Sequence, residues 1–177
     1  MNFADVKEAT IPEGEAIRIT ADGAVIYDRT VALKYRLHAD KSNYIVDGPA
    51  ADATGDVVAP VDYIDGIPVW EINEDAFKNN ANIRVVILPK TTGYTTVDAF
   101  GGCENLEMVT FLRTPEDATT TPKTGYNYST ATFRNCPNLK TINVPWAKGA
   151  VSGAPWGATN ATINYNYTGL QSEEDHA

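Results

Sequence analysis

Residues 98–111 read Asp98-Ala-Phe-Gly-Gly-Cys-Glu-Asn-Leu-Glu-Met-Val-Thr-Phe111. The pattern also stands before it, as Asp75-Ala-Phe-Lys-Asn-Asn-Ala-Asn-Ile-Arg-Val-Val-Ile-Leu-Pro89, and after it, as Ala131-Thr-Phe-Arg-Asn-Cys-Pro-Asn-Leu-Lys-Thr-Ile-Asn-Val-Pro145. Phe77 and Phe100 lie 23 positions apart, Phe100 and Phe133 33 apart, and Trp156 follows Phe133 after another 23, so the middle interval carries an insertion of ten residues. In the first three copies aliphatic residues stand six positions past the Phe (Ile83, Leu106, Leu139) and nine positions past it (Val86, Val109, Ile142). A unit this short cannot bury its own apolar face, so the copies must stack into a solenoid, a binding surface rather than a reaction vessel. In the fourth copy Ile163 follows Trp156 after seven positions instead of nine, the shortening expected of a cap.

Composition agrees with one soluble domain: 177 residues, 43% apolar. With 14 Lys and Arg against 23 Asp and Glu, the net charge of −9 argues against nucleic acid and anionic membrane surfaces as partners. No run approaches the roughly 18 apolar residues of a membrane span, and the start Met1-Asn-Phe-Ala-Asp-Val-Lys-Glu-Ala-Thr10 has no apolar signal core. If Met1 is the natural start, a surface-type repeat without an export signal points to a particle assembled in the cytoplasm and released by lysis, such as a phage or prophage tail or baseplate. The alternative is an exported bacterial cell-surface or secreted adhesin whose signal has been removed.

Around the array, alternation in Ala16-Ile-Arg-Ile-Thr20 and Ala24-Val-Ile-Tyr27 across Ala21-Asp-Gly23 predicts a β-hairpin. Residues 1–30 are therefore read as a hairpin or attachment segment, a candidate site of homo-oligomer contact. A second hairpin is expected from Leu33-Lys-Tyr-Arg-Leu37 and Tyr44-Ile-Val46, within a lead-in cap spanning 31–66. The repeat domain covers 31–166, and the acidic tail 167–177 is expected to be disordered. Within each repeat, strands flank a short helical turn, Asp75 and Asp98 cap that turn, Asn82, Asn105 and Asn138 form a ladder, and Pro89 and Pro145 stop strands.

The runs Tyr63-Ile-Asp-Gly-Ile-Pro-Val-Trp-Glu-Ile72, Asp98-Ala-Phe-Gly-Gly-Cys-Glu-Asn-Leu106 and Phe133-Arg-Asn-Cys-Pro-Asn-Leu-Lys-Thr-Ile-Asn-Val-Pro145 resemble the bacterial BspA-type leucine-rich repeat. The resemblance covers about residues 31 to 166 and departs from the family pattern at Asn80, where the usual Cys is missing, and in the insertion. It implies an α+β repeat solenoid with short strands and short helical turns. It says little about ligand, since such proteins serve as adhesins, surface proteins and parts of phage tails.

Chemistry is sparse. Cys103 and Cys136 share one column and read as buried free thiols, ahead of a disulfide or a metal pair, because two Cys without a neighbouring His make a poor zinc site. His38 and His176 are the only histidines, and no spacing brings His38 to a nucleophile. No enzyme, cofactor or resident metal is expected. Asp47, Asp52, Asp56, Asp62 and Asp65 crowd one window without the spacing of a known calcium loop, and read as solvated charges. Glu71, Glu74 and Asp75 read as an exposed face and a cap. The sequons at Asn127, Asn160 and Asn166 read as accidental, and Ser152-Gly-Ala-Pro-Trp-Gly157 as the turn that carries Trp156 inward.

The expected function is recognition of a protein or cell-surface glycan. Loops on a rigid array carry recognition, and the insertion falls within 113–126. Aromatics placed five to seven positions before each repeat Phe extend the candidate surface. The candidates are Trp70, Tyr94, Arg113, Thr119, Lys123, Tyr126 and Tyr128. Packing between repeats is the competing role for Trp70 and Tyr126.

Overall fold

The computed structural model describes residues 8–11, 15–19 and 25–169 of the chain, with side chains from Thr30 onward. The expected hairpin turn at 20–24, the tail from 170 and His176 lie outside the described residues. The described chain is a solenoid in which each coil passes through two sheets. One sheet takes the strands that follow each repeat Phe: β6 (Val57–Val58), β9 (Val85–Leu88), β11 (Met108–Phe111), β13 (Thr141–Asn143) and β14 (Thr162–Asn164). All pair in parallel, and Val58, Val86, Val109, Ile142 and Ile163 stand in register across them. The aliphatic columns read from sequence are the core: Ile83, Leu106, Leu139, Val86, Val109 and Ile142 are all fully buried. β9 ends one residue before Pro89 and β13 two before Pro145, as a missing N–H requires.

The other sheet takes the strands that precede each Phe: β8 (Ile67–Ile72), β10 (Tyr94–Thr95) and β12 (Asn127–Tyr128), in parallel. Its far side is the second hairpin, β4 (Leu33–Leu37) with β5 (Tyr44–Pro49), and β5 pairs with β8 in parallel. β1 (Glu8–Ile11) lies antiparallel to β4, and β7 (Tyr63–Ile64) to β8. The first hairpin, β2 (Glu15–Ile19) with β3 (Val25–Arg29), forms a two-stranded sheet of its own.

The expected helical turns are absent, so the architecture is a β-solenoid. In the turns around the Phe column, alternate N–H groups leave for the next coil: Phe77 N to Ala99 O (2.8 Å), Asn79 N to Gly101 O (2.8 Å), Phe100 N to Thr132 O (3.0 Å), Gly102 N to Arg134 O (2.9 Å) and Phe133 N to Trp156 O (2.9 Å). The intervening ones close tight turns, as in Lys78 N to Asp75 O. A helix would keep every N–H within its own turn. The alternation needs left-handed backbone at Asp75, Asn79, Asp98, Gly102 and Asn135, the residue types that tolerate it. Asp75 and Asp98 are thus turn-formers, not helix caps. Among the described residues the one α-helix, α1 (Asp117–Thr120), belongs to the insertion.

Coils in β-register lie about 4.8 Å apart, and this spacing sets the aromatic stack. Phe77 and Phe100 lie 4.9 Å apart and nearly parallel, Phe100 and Phe133 5.6 Å apart. Trp156 is fully buried but leaves that stack for the end of the array, packing 4.8 Å from Phe111 and edge-on to Trp146. Trp146, which the repeat columns do not flag, completes this cap at 2% exposure. Both cysteines are free and buried, each thiol donating to the Phe carbonyl one coil earlier: Cys103 Sγ to Phe77 O (3.2 Å) and Cys136 Sγ to Phe100 O (3.1 Å).

Candidate functional site

The insertion is a folded loop tied down from within. Arg113 is fully buried. Its guanidinium donates to Gly125 O (3.0 Å), Lys90 O (2.8 Å), Lys123 O (2.7 Å) and Thr121 Oγ1 (3.1 Å), and lies 5.2 Å from the Trp70 ring centroid and 5.7 Å from that of Tyr126. Thr114 and Asp117 exchange hydrogen bonds at the start of the helical turn, Thr114 N to Asp117 Oδ2 (2.9 Å) and Asp117 N to Thr114 Oγ1 (3.1 Å), in the manner of a capping box.

Trp70 reaches this loop through a β-bulge. Tyr44 pairs with Val69 and Ile45 with Glu71, so Trp70 is the extra residue, and such a residue is re-aimed out of the regular alternation. Its indole lies against Gly93, where any Cβ would collide with the ring.

The seven candidates separate accordingly. Arg113 and Tyr128 are buried: Arg113 holds the loop, and Tyr128, 7% exposed, packs on Phe111 and donates to Thr92 O (3.0 Å). Burial pushes both Tyr126 and Tyr128 hydroxyls upward in pKa, Tyr126 to about 12. Tyr126 is half-buried, donates to Arg113 O (3.1 Å) and packs on Trp146. Trp70 is likewise half-buried beneath Arg113. Thr119 is exposed on α1, its hydroxyl turned back onto Glu116 O (2.9 Å). Lys123 is half-buried at the loop's edge, and its charge acts on Glu71. Tyr94 alone among the aromatic candidates stands on an open sheet face.

That face is a second candidate surface, which the aromatic alignment missed. Tyr94 pairs with Glu71 on one side and Asn127 on the other, so the three form one row across three coils. Each lies six positions before its repeat Phe, and Asn73, Thr96 and Ser129 lie four before. The signal was therefore in the columns, at one fixed offset rather than in aromatic character. With Glu74 and the 44%-exposed Val97, these residues line an open depression of about 410 Å³. Within the described residues the side chains of Glu71, Glu74, Tyr94 and Asn127 make no hydrogen bond or ion pair. Burial raises the Glu71 carboxyl above its ordinary pKa, against the lowering influence of His38, Arg36 and Lys123.

Asp47, Asp56 and His38 are held in local pairs. Asp47 is bonded by Arg36 Nε (3.1 Å) and Asn73 Nδ2 (2.9 Å), and Asp56 by Arg84 Nε (2.9 Å). Among the described residues no group of three or more His, Cys, Asp or Glu side chains converges. His38 Nδ1 meets Asp40 (2.8 Å), and Ser42 Oγ donates to the same carboxylate (2.7 Å). The carboxylate thus lies between serine and imidazole, whereas nucleophile activation needs the imidazole between serine and carboxylate. Bonds from Ser42 hold the Asp40 carboxyl down to about 2. Burial pushes the Cys103 thiol up to about 12 and raises that of Cys136, the reverse of a nucleophilic cysteine. No helix among the described residues is long and apolar enough to cross a membrane.

No protein-family model matches the chain, and no curated protein matches it. Among solved structures the chain is similar to a leucine-rich cell surface protein from Faecalibacterium prausnitzii A2-165, at 19% identity and a TM-score of 0.43, over 75% of this chain and 41% of that one. The chain therefore spans less than half the length of that protein.

Proposed function

We propose that this chain is a non-catalytic recognition module of the BspA-type leucine-rich repeat kind, holding a protein or glycan on the sheet face that carries Glu71, Tyr94 and Asn127. One observation carries the reading: three adjacent coils present, in register, side chains that bond no other described residue around one depression. By contrast, Asn105 and Asn138 bond carbonyls of the preceding coil. An aromatic ring beside amide and carboxylate groups offers rigid apolar area with polar tips, the chemistry of adaptable recognition surfaces. The insertion loop flanks this face through Lys123.

Of the two settings expected from the sequence, a phage or prophage particle has no support in the fold or the comparisons. The cell surface is the setting named for the similar solved structure. The reading is tested by screening the protein on glycan and protein arrays, then repeating any hit with Tyr94→Ala and Asn127→Ala. Binding is expected to fall at least tenfold with an unchanged melting temperature. Full binding by both variants refutes this face as the site.

A further inference from the structure

We propose that the depression around Glu71 receives an arginine or lysine side chain carried on an extended segment of a partner protein. The inference rests on the sheet face being the recognition surface, and it names the ligand class. Among the described residues Glu71, half-buried, makes no hydrogen bond or ion pair, and two basic side chains that act on it are engaged elsewhere, Arg36 by Asp47 (3.1 Å) and His38 by Asp40 (2.8 Å). Lys123 acts on Glu71 through its field but forms no ion pair with it. The raised Glu71 pKa is the mark of a carboxylate whose lost hydration these cations do not replace. A second carboxylate, Glu74, is exposed on the same depression.

Tyr94 completes the chemistry. It is the cross-strand neighbour of Glu71, and strands lie about 4.8 Å apart. A cation bonded to Glu71 therefore has an aromatic face within reach, with Val97 beyond it for the aliphatic stem. The net charge of −9 steers a basic partner toward the chain. A neutral sugar would leave the two carboxylates without a bonded cation.

The test is amide-resolved NMR titration at low salt with a hexapeptide carrying two arginines among glycines and serines, its glutamate counterpart, and maltoheptaose. The arginine peptide is expected to shift the amides of Glu71, Tyr94, Asn127 and Ser129 saturably. Glu71→Gln is expected to weaken it at least fivefold, Glu104→Gln on the exposed turn to leave it unchanged, and added salt to weaken it. Equal binding by Glu71→Gln, or shifts spread over the acidic surface, overturns the proposal. Maltoheptaose shifting the same amides while the arginine peptide does not overturns the basic partner and keeps the face as a recognition surface. Silence from all three probes overturns the basic partner, and the array screen then decides whether the face binds anything.

Discussion

Replacing Arg113 by alanine is the sharpest test of how the insertion is built. The substitution strips donors from three backbone carbonyls and a threonine hydroxyl and removes the plate between Trp70 and Tyr126. A buried acceptor left without a partner costs about 1–3 kcal/mol. The loop limits that sum, because it can lift off and let water in, so a net loss of about 3 kcal/mol is the working figure. For a domain of this size each kcal/mol moves the melting temperature by about 2–4 °C, giving an expected fall of about 6–12 °C. Urea unfolding gives the free energy, and tryptophan emission gives the location: Trp146 and Trp156 stay buried while Trp70 loses its cover, so the native spectrum should shift to the red. Arg113→Met keeps the apolar stem and should restore part of the packing but not the carbonyl bonds, falling between the two. An unchanged melting temperature and unshifted emission for Arg113→Ala would refute the idea that this guanidinium organises the loop.

Acid stability depends on Asp98, which is buried, is bonded by the Arg134 fork and lies 3.5 Å from Lys78 Nζ. Bonds from Arg134 hold its carboxyl below the ordinary range, so its stabilisation is full above about pH 5 and drains away as pH falls through its folded pKa. Asp98→Asn should flatten that limb of a stability-versus-pH curve; an unaltered limb counts against the assignment. Glu71 and Asp62, raised by burial, act in the opposite sense, gaining stability as pH falls through their folded values, and Glu71→Gln should remove its share. Cys103 and Cys136 should resist a thiol reagent at pH 8 until urea unfolds the chain, whereas rapid native labelling would contradict their burial. Gly101→Ala should destabilise, because its Cβ would collide with the Asp98 carboxylate, and a melting temperature equal to wild type would refute that contact.

The aliphatic columns, the second hairpin, the proline stops and the thiols were legible because each rests on a spacing that stacking must respect. Two of the three asparagines of the expected ladder, Asn105 and Asn138, were legible for the same reason. Asn105 Nδ2 donates to Ala81 O (2.7 Å) and Asn138 Nδ2 to Glu104 O (2.6 Å), and Asn160, read as a sequon, adds a rung to Pro137 O at 3.4 Å. The helical turns were not legible. Asp and Asn before an Ala-Phe pair serve equally as a helix cap or as left-handed turn residues, and only the neighbouring coil, by taking alternate N–H groups, decides between them. Arg113 was misplaced on the surface because an arginine in a polar, threonine-rich loop gives no local sign that four acceptors converge on it. The cation needs Lys90 from the preceding coil and Trp70 from a bulge, neither adjacent in sequence.

What separates architecture from function in this array is whether a column satisfies itself. Seven positions past each Phe stand Arg84, Glu107 and Lys140, with Asp56 at the matching place in the first coil. Their charges alternate down the stack, and Arg84 bridges Asp56 (2.8 Å) and Glu107 (3.3 Å). Such exposed pairs each contribute little, but they tie three of the four charges together across the coils and fix coil register, while the Lys140 ammonium stays outside them. Asn105, Asn138 and the two cysteines bond backbone carbonyls of the preceding coil. The column six before each Phe does not: a carboxylate, a phenol and an amide lie side by side without bonding one another. Stacking energy does not account for that choice, since the adjacent column four before each Phe shows how such positions are satisfied: Asn73 bonds Asp47, and Thr96 bonds the Ile72 carbonyl. Side chains held in register and bonded to no other described residue are pre-organised for a ligand, and the Glu71–Tyr94–Asn127 row has that character.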